Sequence, residues 1–512
     1  MAATKQSQSD LVNLFLETAC ADPILANGPA AHARRSRTAL RILKHHPEII
    51  RDSIQTAVVC GDIEEVKRIL AEQPTAASQP GGPQRRRHLK EREKLWTPLL
   101  HLCYGRLPTA AARENAVEIA RLLLDHGADA NEFFECGDHP NRYTALCGVA
   151  GEGEDDAPPH PQREELARLL LERGANPYDI QLFYNTHFHN EILWILKLVY
   201  EYSVRAGRKS DWDDPNWSML SCGGYGCGAR YFLGNAIQHN NVETVEWLLE
   251  HGANPNAPAS SHPRTSKASL HEEAIRLGHS EIADLLIRYG AKPSPAIIRT
   301  GIEEFTEICF ALDRERARKL ATEHPEYLLS PAPIFAAARR DRADVVELLL
   351  DLGVSIEIED ENKQRPLHIA ASRDSLAVAK LLISRGADLE AVESNWNNTP
   401  LDFALYGNLP RMTQLLSDVS NDVFRLTWCG NLTRLRHVLS EKPDLAKSVD
   451  DSSTPLMWLP DDEALAVAAV ELLMSNGADP SARSKEGKTA ADYAERRALY
   501  AAAELLRQAC VA

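Results

Sequence analysis

Residues 365–390 read RPLHIAASRDSLAVAKLLISRGADLE, and the order of residue types in that stretch decides the fold. Pro366 stands where a helix begins, a place at which its missing N–H costs little. Leu367, Ile369, Ala370 and Ala371 follow as an apolar face of small residues that lets a neighbouring helix approach closely. Leu376, Val378, Ala379, Leu381, Leu382 and Ile383 then recur with helical period. Gly386 closes this second helix in the left-handed conformation that glycine adopts cheaply. The previous glycine of the same kind, Gly353, stands 33 residues earlier (386 − 353 = 33).

The ending of the second helix returns along the chain. It is LLLDHGADAN at 122–131, LLLERGANP at 169–177, WLLEHGANPN at 247–256 and LLMSNGADP at 472–480, with looser copies at 285–293 and 348–356. Thr97-Pro98-Leu99, Thr399-Pro400-Leu401 and Thr454-Pro455-Leu456 repeat the opening of the first helix. The pattern resembles the ankyrin repeat, a helix–turn–helix plus β-turn unit of about 33 residues. The resemblance implies an all-α fold, an α-solenoid of roughly a dozen such units joined by short β-turn or hairpin loops, in which stacking supplies the core that one unit lacks.

Other units are worn. Residues 53–74, 311–328 and 425–445 end in a Pro-containing turn in place of Gly-Ala-Asp, and 488–508 reads as a C-terminal cap. The expected organisation is an N-terminal helical arm or cap over 1–35, an N-terminal array over 36–300 and a C-terminal array with its cap over 301–512. Segments 79–94, 151–162 and 203–228 interrupt the first array. The acidic, Pro-rich segment 151–162 reads as a flexible surface loop that could be removed without loss of folding. Pro460 is expected to cut short the first helix of its unit, with Trp458 filling the space left in preference to standing exposed in the groove as an anchor.

Of the 512 residues, 44% are hydrophobic and 25% charged, an ordinary globular balance. A net charge of −16 does not suit a surface that binds nucleic acid, which needs clustered Lys and Arg. No secretory leader pattern opens the sequence and no run is apolar enough to span a bilayer, so no membrane association is expected. The ten cysteines are scattered singly, and Cys60, Cys103, Cys309 and Cys429 sit where this kind of unit packs a small residue. Buried free thiols in a reducing cytoplasm are expected, in a monomer.

Ankyrin arrays bind partner proteins, and the resemblance carries their binding positions onto turn tips and onto the residues before the turn between helices. Here these are Glu361, Asn362, Gln364, Ser372 and Arg373, then Arg339 and Arg340, then Trp396, Asn398 and Tyr406. The last unit offers Lys485, Glu486, Lys488, Arg496 and Arg497. Tyr406 is hard to register because the sequence is one residue short before Gly407. Arg, Trp and Tyr are the types that most often anchor interfaces, so Arg339, Arg340, Arg373, Trp396 and Tyr406, side by side as a basic and aromatic strip on the concave groove, suggest an acidic or aromatic partner segment.

One metal-like set appears: His187 and His189, on a helix, with Cys222 and Cys227, which could hold a zinc ion that staples the 203–228 insertion. The bland reading, glycines serving a turn, is preferred, and no cofactor is expected. The run RRRHLKEREK at 85–94 reads as a solvated loop. Nucleophile, metalloprotease and phosphate-binding motifs are missing. The expectation is a non-catalytic protein-binding scaffold or adaptor. The alternatives are a regulatory or inhibitory module that blocks an enzyme or peptide and, more remotely, a metal-dependent or catalytic protein with its site in 182–227.

Overall fold

The computed structural model describes residues 8–21, 28–83, 95–135, 142–153, 155–220, 228–258, 268–294 and 301–510. They divide into two compact units, Met1–Ile297 and Ile298–Ala512. Each is an all-α stack of helix–turn–helix hairpins. Among the described residues the one sheet is an antiparallel ribbon, Phe133–Glu135 with Arg142–Thr144, in the first unit.

In the second unit the hairpins follow the sequence pattern. Ile302–Phe310 pairs with Arg314–Glu323, Ala332–Arg339 with Ala343–Leu352, Pro366–Ser372 with Leu376–Ser384, and Pro400–Tyr406 with Pro410–Ser417. Val423–Cys429 with Leu432–Glu441 and Ala490–Arg496 with Tyr500–Ala509 continue the series. First helices pack on first helices and second on second, so each hairpin is covered only when the next one is added. Leu367, Ala370, Val378, Ala379 and Leu382 are buried at these seams, Leu382 more completely than its neighbour Leu381. Gly353 and Gly386, at φ 106° and 84°, end the second helices in the left-handed region. The chain then folds back so that Val354 N–H reaches Leu349 O and Ala387 N–H reaches Leu382 O, both at 3.0 Å.

The openings of the first helices are tied as their residue types require. Thr399 Oγ1 accepts the Asp402 N–H while Asp402 accepts the Thr399 N–H at 2.8 Å, a reciprocal cap. His368 does the same work from the other direction. Its Nδ1 accepts the Arg365 N–H at 3.1 Å, so Nε2–H is the donor, reaching Ala391 O at 3.0 Å in the following turn. Burial keeps that imidazole neutral by pushing its pKa down. Near Pro460 the first helix shrinks to the 3-10 turn Pro455–Met457, as the proline predicts. Trp458 packs at that spot on Trp428 and Phe424 and gives its indole N–H to Ser453 Oγ at 2.7 Å.

The first unit is less regular. Helices Gln8–Ala19 and Pro29–His45 pack on each other, followed by Ile54–Cys60 with Ile63–Glu72, Pro98–Tyr104 with Ala116–Asp125, and Ala145–Ala150 with Arg163–Glu172. Ile180–Asn185 with Leu193–Arg205, Gly228–Gln238 with Val242–Glu250, and Leu270–Arg276 with Ser280–Arg288 complete it. The described part of segment 151–162 corrects the sequence reading, because Gly151, Glu152, Gly153 and His160 are buried. Arg106 is buried, and its guanidinium donates to Pro158 O at 2.5 Å, Gly148 O at 2.6 Å, Gly105 O at 2.8 Å and Cys103 O at 2.9 Å. The segment thus supplies a carbonyl to a buried cation, a requirement that its own composition does not reveal. His160 N–H bonds to Val149 O at 2.9 Å, and burial drives the His160 pKa down to about 3.

The described part of the 203–228 insertion is held by rings. Trp212 and Trp217 are buried 5.0 Å apart, Tyr200 meets Trp212 at 5.1 Å, and Trp217 approaches Trp247 at 6.3 Å.

Candidate functional site

The turn between the two helices supplies a ruler for aligning hairpins in the second unit. Asp341, Asp374 and Asn408 have φ of 50°, 51° and 52°, and Gly430 has 73°. In each case the following N–H reaches back to the first helix: Arg342 to Ala337 O, Ser375 to Ala370 O, Leu409 to Ala404 O and Asn431 to Leu426 O. Two residues before each positive-φ residue stand Arg339, Ser372, Tyr406 and Trp428, which are therefore equivalent. The residues between are Arg340, Arg373, Gly407 and Cys429. Tyr406 is thus in register after all, and the residue replaced is Arg373, by Gly407.

Equivalent positions in neighbouring hairpins meet. The rings of Tyr406 and Trp428 lie 5.2 Å apart, edge to face, and Trp428 meets Trp458 at 5.6 Å in the same manner. This aromatic row crosses three consecutive hairpins. Towards the other end Arg339 and Arg340 are exposed, with the Arg340 guanidinium 5.0 Å above the Phe310 ring. Arg373 is exposed one hairpin further on.

Trp396, at 79% exposure, sits on a turn that is fixed from beneath. The buried Glu393 carboxylate accepts the N–H groups of Asn395 and Trp396 at 2.7 Å and of Asn398 at 3.2 Å. Burial pushes the Glu393 pKa up, but these three donors outweigh it and hold the group below the ordinary carboxylate value. Ser394 N–H also bonds to Asn362 O at 2.9 Å, joining successive tips.

The remaining sequence candidates divide. Glu361 and Arg496 are exposed. Asn362, Gln364 and Asn398 are half-buried and shape the turns: the Asn362 and Gln364 N–H groups bond to Asp360 Oδ1 at 2.9 and 2.8 Å. Ser372 Oγ donates to Ile369 O at 3.0 Å. Arg497 leaves the set. It is largely buried, bonded to Asp461 at 2.5 Å and to Leu459 O at 2.6 Å, and so braces the irregular turn next door. Lys485 is engaged by Asp451. Trp428 went unnoticed because its unit ends in Lys442-Pro443 in place of Gly-Ala-Asp. The shared Gly-Asn signal, WCGN beside ALYGN, would have aligned it with Tyr406.

In the first unit, His187 and His189 occupy the turn after Ile180–Asn185, where the sequence reading had them on a helix. His187 Nδ1 is bonded to Tyr184 O, and His189 Nε2 to Asp156 Oδ1 at 2.7 Å. Cys222 and Cys227 lie outside the described residues, as does the run 85–94. Among the described residues no three of His, Cys, Asp and Glu gather as metal ligands. Cys60, Cys103, Cys147 and Cys309 are buried free thiols, and burial raises the Cys309 pKa to about 12. No described helix is long and apolar enough to cross a membrane.

A family model described as "Ankyrin repeats (3 copies)" matches residues 333–425, and another, "Ankyrin repeat", matches 235–260. The chain carries ankyrin repeats. Arg339, Arg340, Arg373, Trp396 and Tyr406 all lie inside the longer match, with Trp428 just beyond it. No curated protein matches the chain. One chain of a solved complex, the Bd0816 predatory endopeptidase from Bdellovibrio bacteriovorus with the immunity protein Bd3460, is 24% identical. That match covers 34% of this chain and 96% of the other, at a TM-score of 0.27. Ankyrin repeats are in general non-catalytic modules for protein interaction, so the exposed anchors above are the natural place to look for function.

Proposed function

We propose that the protein is a non-catalytic scaffold or adaptor that binds a partner protein along the first-helix ends and turn tips of its second unit. The observation that carries this reading is the alignment of Arg339, Ser372, Tyr406 and Trp428 at one position of four successive hairpins, with Arg340, Arg373 and Trp396 beside them. Large rigid rings and guanidinium groups give much contact area for little lost side-chain freedom, which is why such residues dominate binding energy. The buried thiols support a reducing, cytoplasmic setting. Partner capture from native lysate tests the reading, comparing the intact protein with a variant carrying Arg339→Glu, Arg373→Glu and Trp396→Ala. A protein held by the first and lost by the second, with equal helical signal, is the expected result. Identical captures would move the binding surface elsewhere.

A further inference from the structure

The chemistry of this face changes along its length, and the change restricts what can bind. Within the second unit Arg316, Arg342, Arg365, Arg385, Arg425 and Arg497 pair with carboxylates, while Arg318, Arg411, Arg436 and Arg496 are exposed without such a partner among the described residues. Arg339, Arg340 and Arg373 have no carboxylate partner among the described residues. Of the two acids adjoining them in sequence, Asp341 is exposed and Asp374 half-buried, and each has one carboxylate oxygen committed to the fold. Asp341 Oδ1 accepts the Val378 N–H at 2.9 Å in the next hairpin, and Asp374 has a buried carboxylate oxygen. Three exposed arginines without an ion pair thus occupy the first-helix ends of two neighbouring hairpins, in a chain whose net charge is −16. Further along the same row the charges stop, and Tyr406, Trp428 and Trp458 present joined rings.

Resting on the reading that this face binds a partner, we propose that its ligand is an extended acidic peptide segment. Its carboxylates pair with Arg339, Arg340 and Arg373, and a nearby apolar side chain rests on the Tyr406–Trp428 rings. The guanidinium fork matches a carboxylate in two parallel hydrogen bonds, and that of Arg340 already stands 5.0 Å over the Phe310 ring. Packed helices stand about 8–10 Å apart and an extended chain advances about 3.3 Å per residue, so roughly three peptide residues cross each hairpin. The acidic residues then fall about three to nine positions from the apolar anchor. Three arginines on a strongly acidic protein favour a peptide over a nucleic acid, whose backbone asks for a longer cationic track.

The test is selection of a random dodecapeptide display library on the full-length protein, followed by synthesis of the strongest binder. Recovered peptides should be enriched in Asp and Glu about twofold over the library, with an apolar residue at the stated spacing. The synthetic peptide should lose about tenfold or more in affinity to the Arg339→Glu, Arg373→Glu double variant, and its binding should weaken with salt. Tyr406→Ala should weaken it as well, while the helical signal of both variants stays intact. Binders without acidic enrichment that Tyr406→Ala still weakens would overturn the acidic ligand and leave the binding face standing. Binders indifferent to every one of these variants would overturn both. A yield of no binders would overturn the acidic peptide, and arginine-dependent binding of a labelled single-stranded RNA dodecamer in its place would reassign the face to nucleic acid.

Discussion

Residues 332–417 and the described part of 95–220 are both built of helical hairpins on apolar seams, and they lean on buried polar side chains to different degrees. In the first stretch the seams are apolar, Leu367, Ala370, Val378 and Leu382 meeting their counterparts one hairpin away, and polar bonds such as Asp341 to the Val378 N–H span a single hairpin. In the second, polar side chains reach far along the chain. Arg106 gathers carbonyls from Cys103 to Pro158, and Tyr104 donates to Thr144 O at 3.1 Å. Asp179 caps its own helix at Leu182 and also holds Thr144. A regular repeat can be extended because every seam uses the same small residues. An irregular one depends on single side chains that have no substitute next door.

That difference can be broken at either end. Leu382→Asp should have the largest effect, because it places an unpaired charge in a fully apolar seam, at a cost of about 4 kcal/mol or more. Hydrogen exchange followed by mass spectrometry should show lost protection spreading through neighbouring hairpins of the second unit. Protection confined to the mutated helix would show that the seams do not transmit stability. Next comes Arg106→Ala, which leaves several buried carbonyls without a donor and should cost about 3 kcal/mol. Exchange should then rise over 145–162, including the segment whose composition suggested a dispensable loop. Unchanged protection there would return that segment to the solvent.

A smaller effect tests the polar region by pH. Burial first, with the nearby Glu191 charge adding to it, lifts the Glu152 carboxyl from 4.5 up to about 7, and its Oε2 has no hydrogen-bond partner. Between those values the folded protein keeps a proton that the unfolded chain has released. The contribution of Glu152 to stability is therefore greatest below pH 4.5 and is lost as pH rises through 7. Glu152→Gln should remove this dependence, gaining about 2–3 kcal/mol on the native protein between pH 5 and pH 8. Parallel denaturant midpoints for the two proteins across that range would rule it out. Smallest is Trp396→Ala, expected to change stability by less than about 0.5 kcal/mol because the ring touches little of its own fold.

How far the sequence could be read follows the same division. In 365–390 the proline, the small face, the apolar period and Gly386 each dictate a local conformation, so the helices and their ends were legible. Trp428 is obscured by the loss of a C-terminal signal, and the engagement of Arg497 is hidden because its partner Asp461 stands 36 residues back in a broken turn. Pro460 announced that break, but not which side chains would repair it. Segment 151–162 has the residues of a solvated loop, and its described part is drawn inward by a distant guanidinium and by backbone bonds such as His160 N–H to Val149 O. Long-range polar pairing leaves no period to recognise.

The Glu393 turn has a consequence for how such a protein can change. The carboxylate fixes the tip through backbone N–H groups, which residues 395, 396 and 398 would offer whatever side chains they carried, proline apart. Side-chain identity at the tip is thereby uncoupled from folding. A lineage, or an engineer, could exchange Trp396 for another residue and inherit an unchanged framework, so that new specificity arises at that tip without a fresh solution to the folding problem.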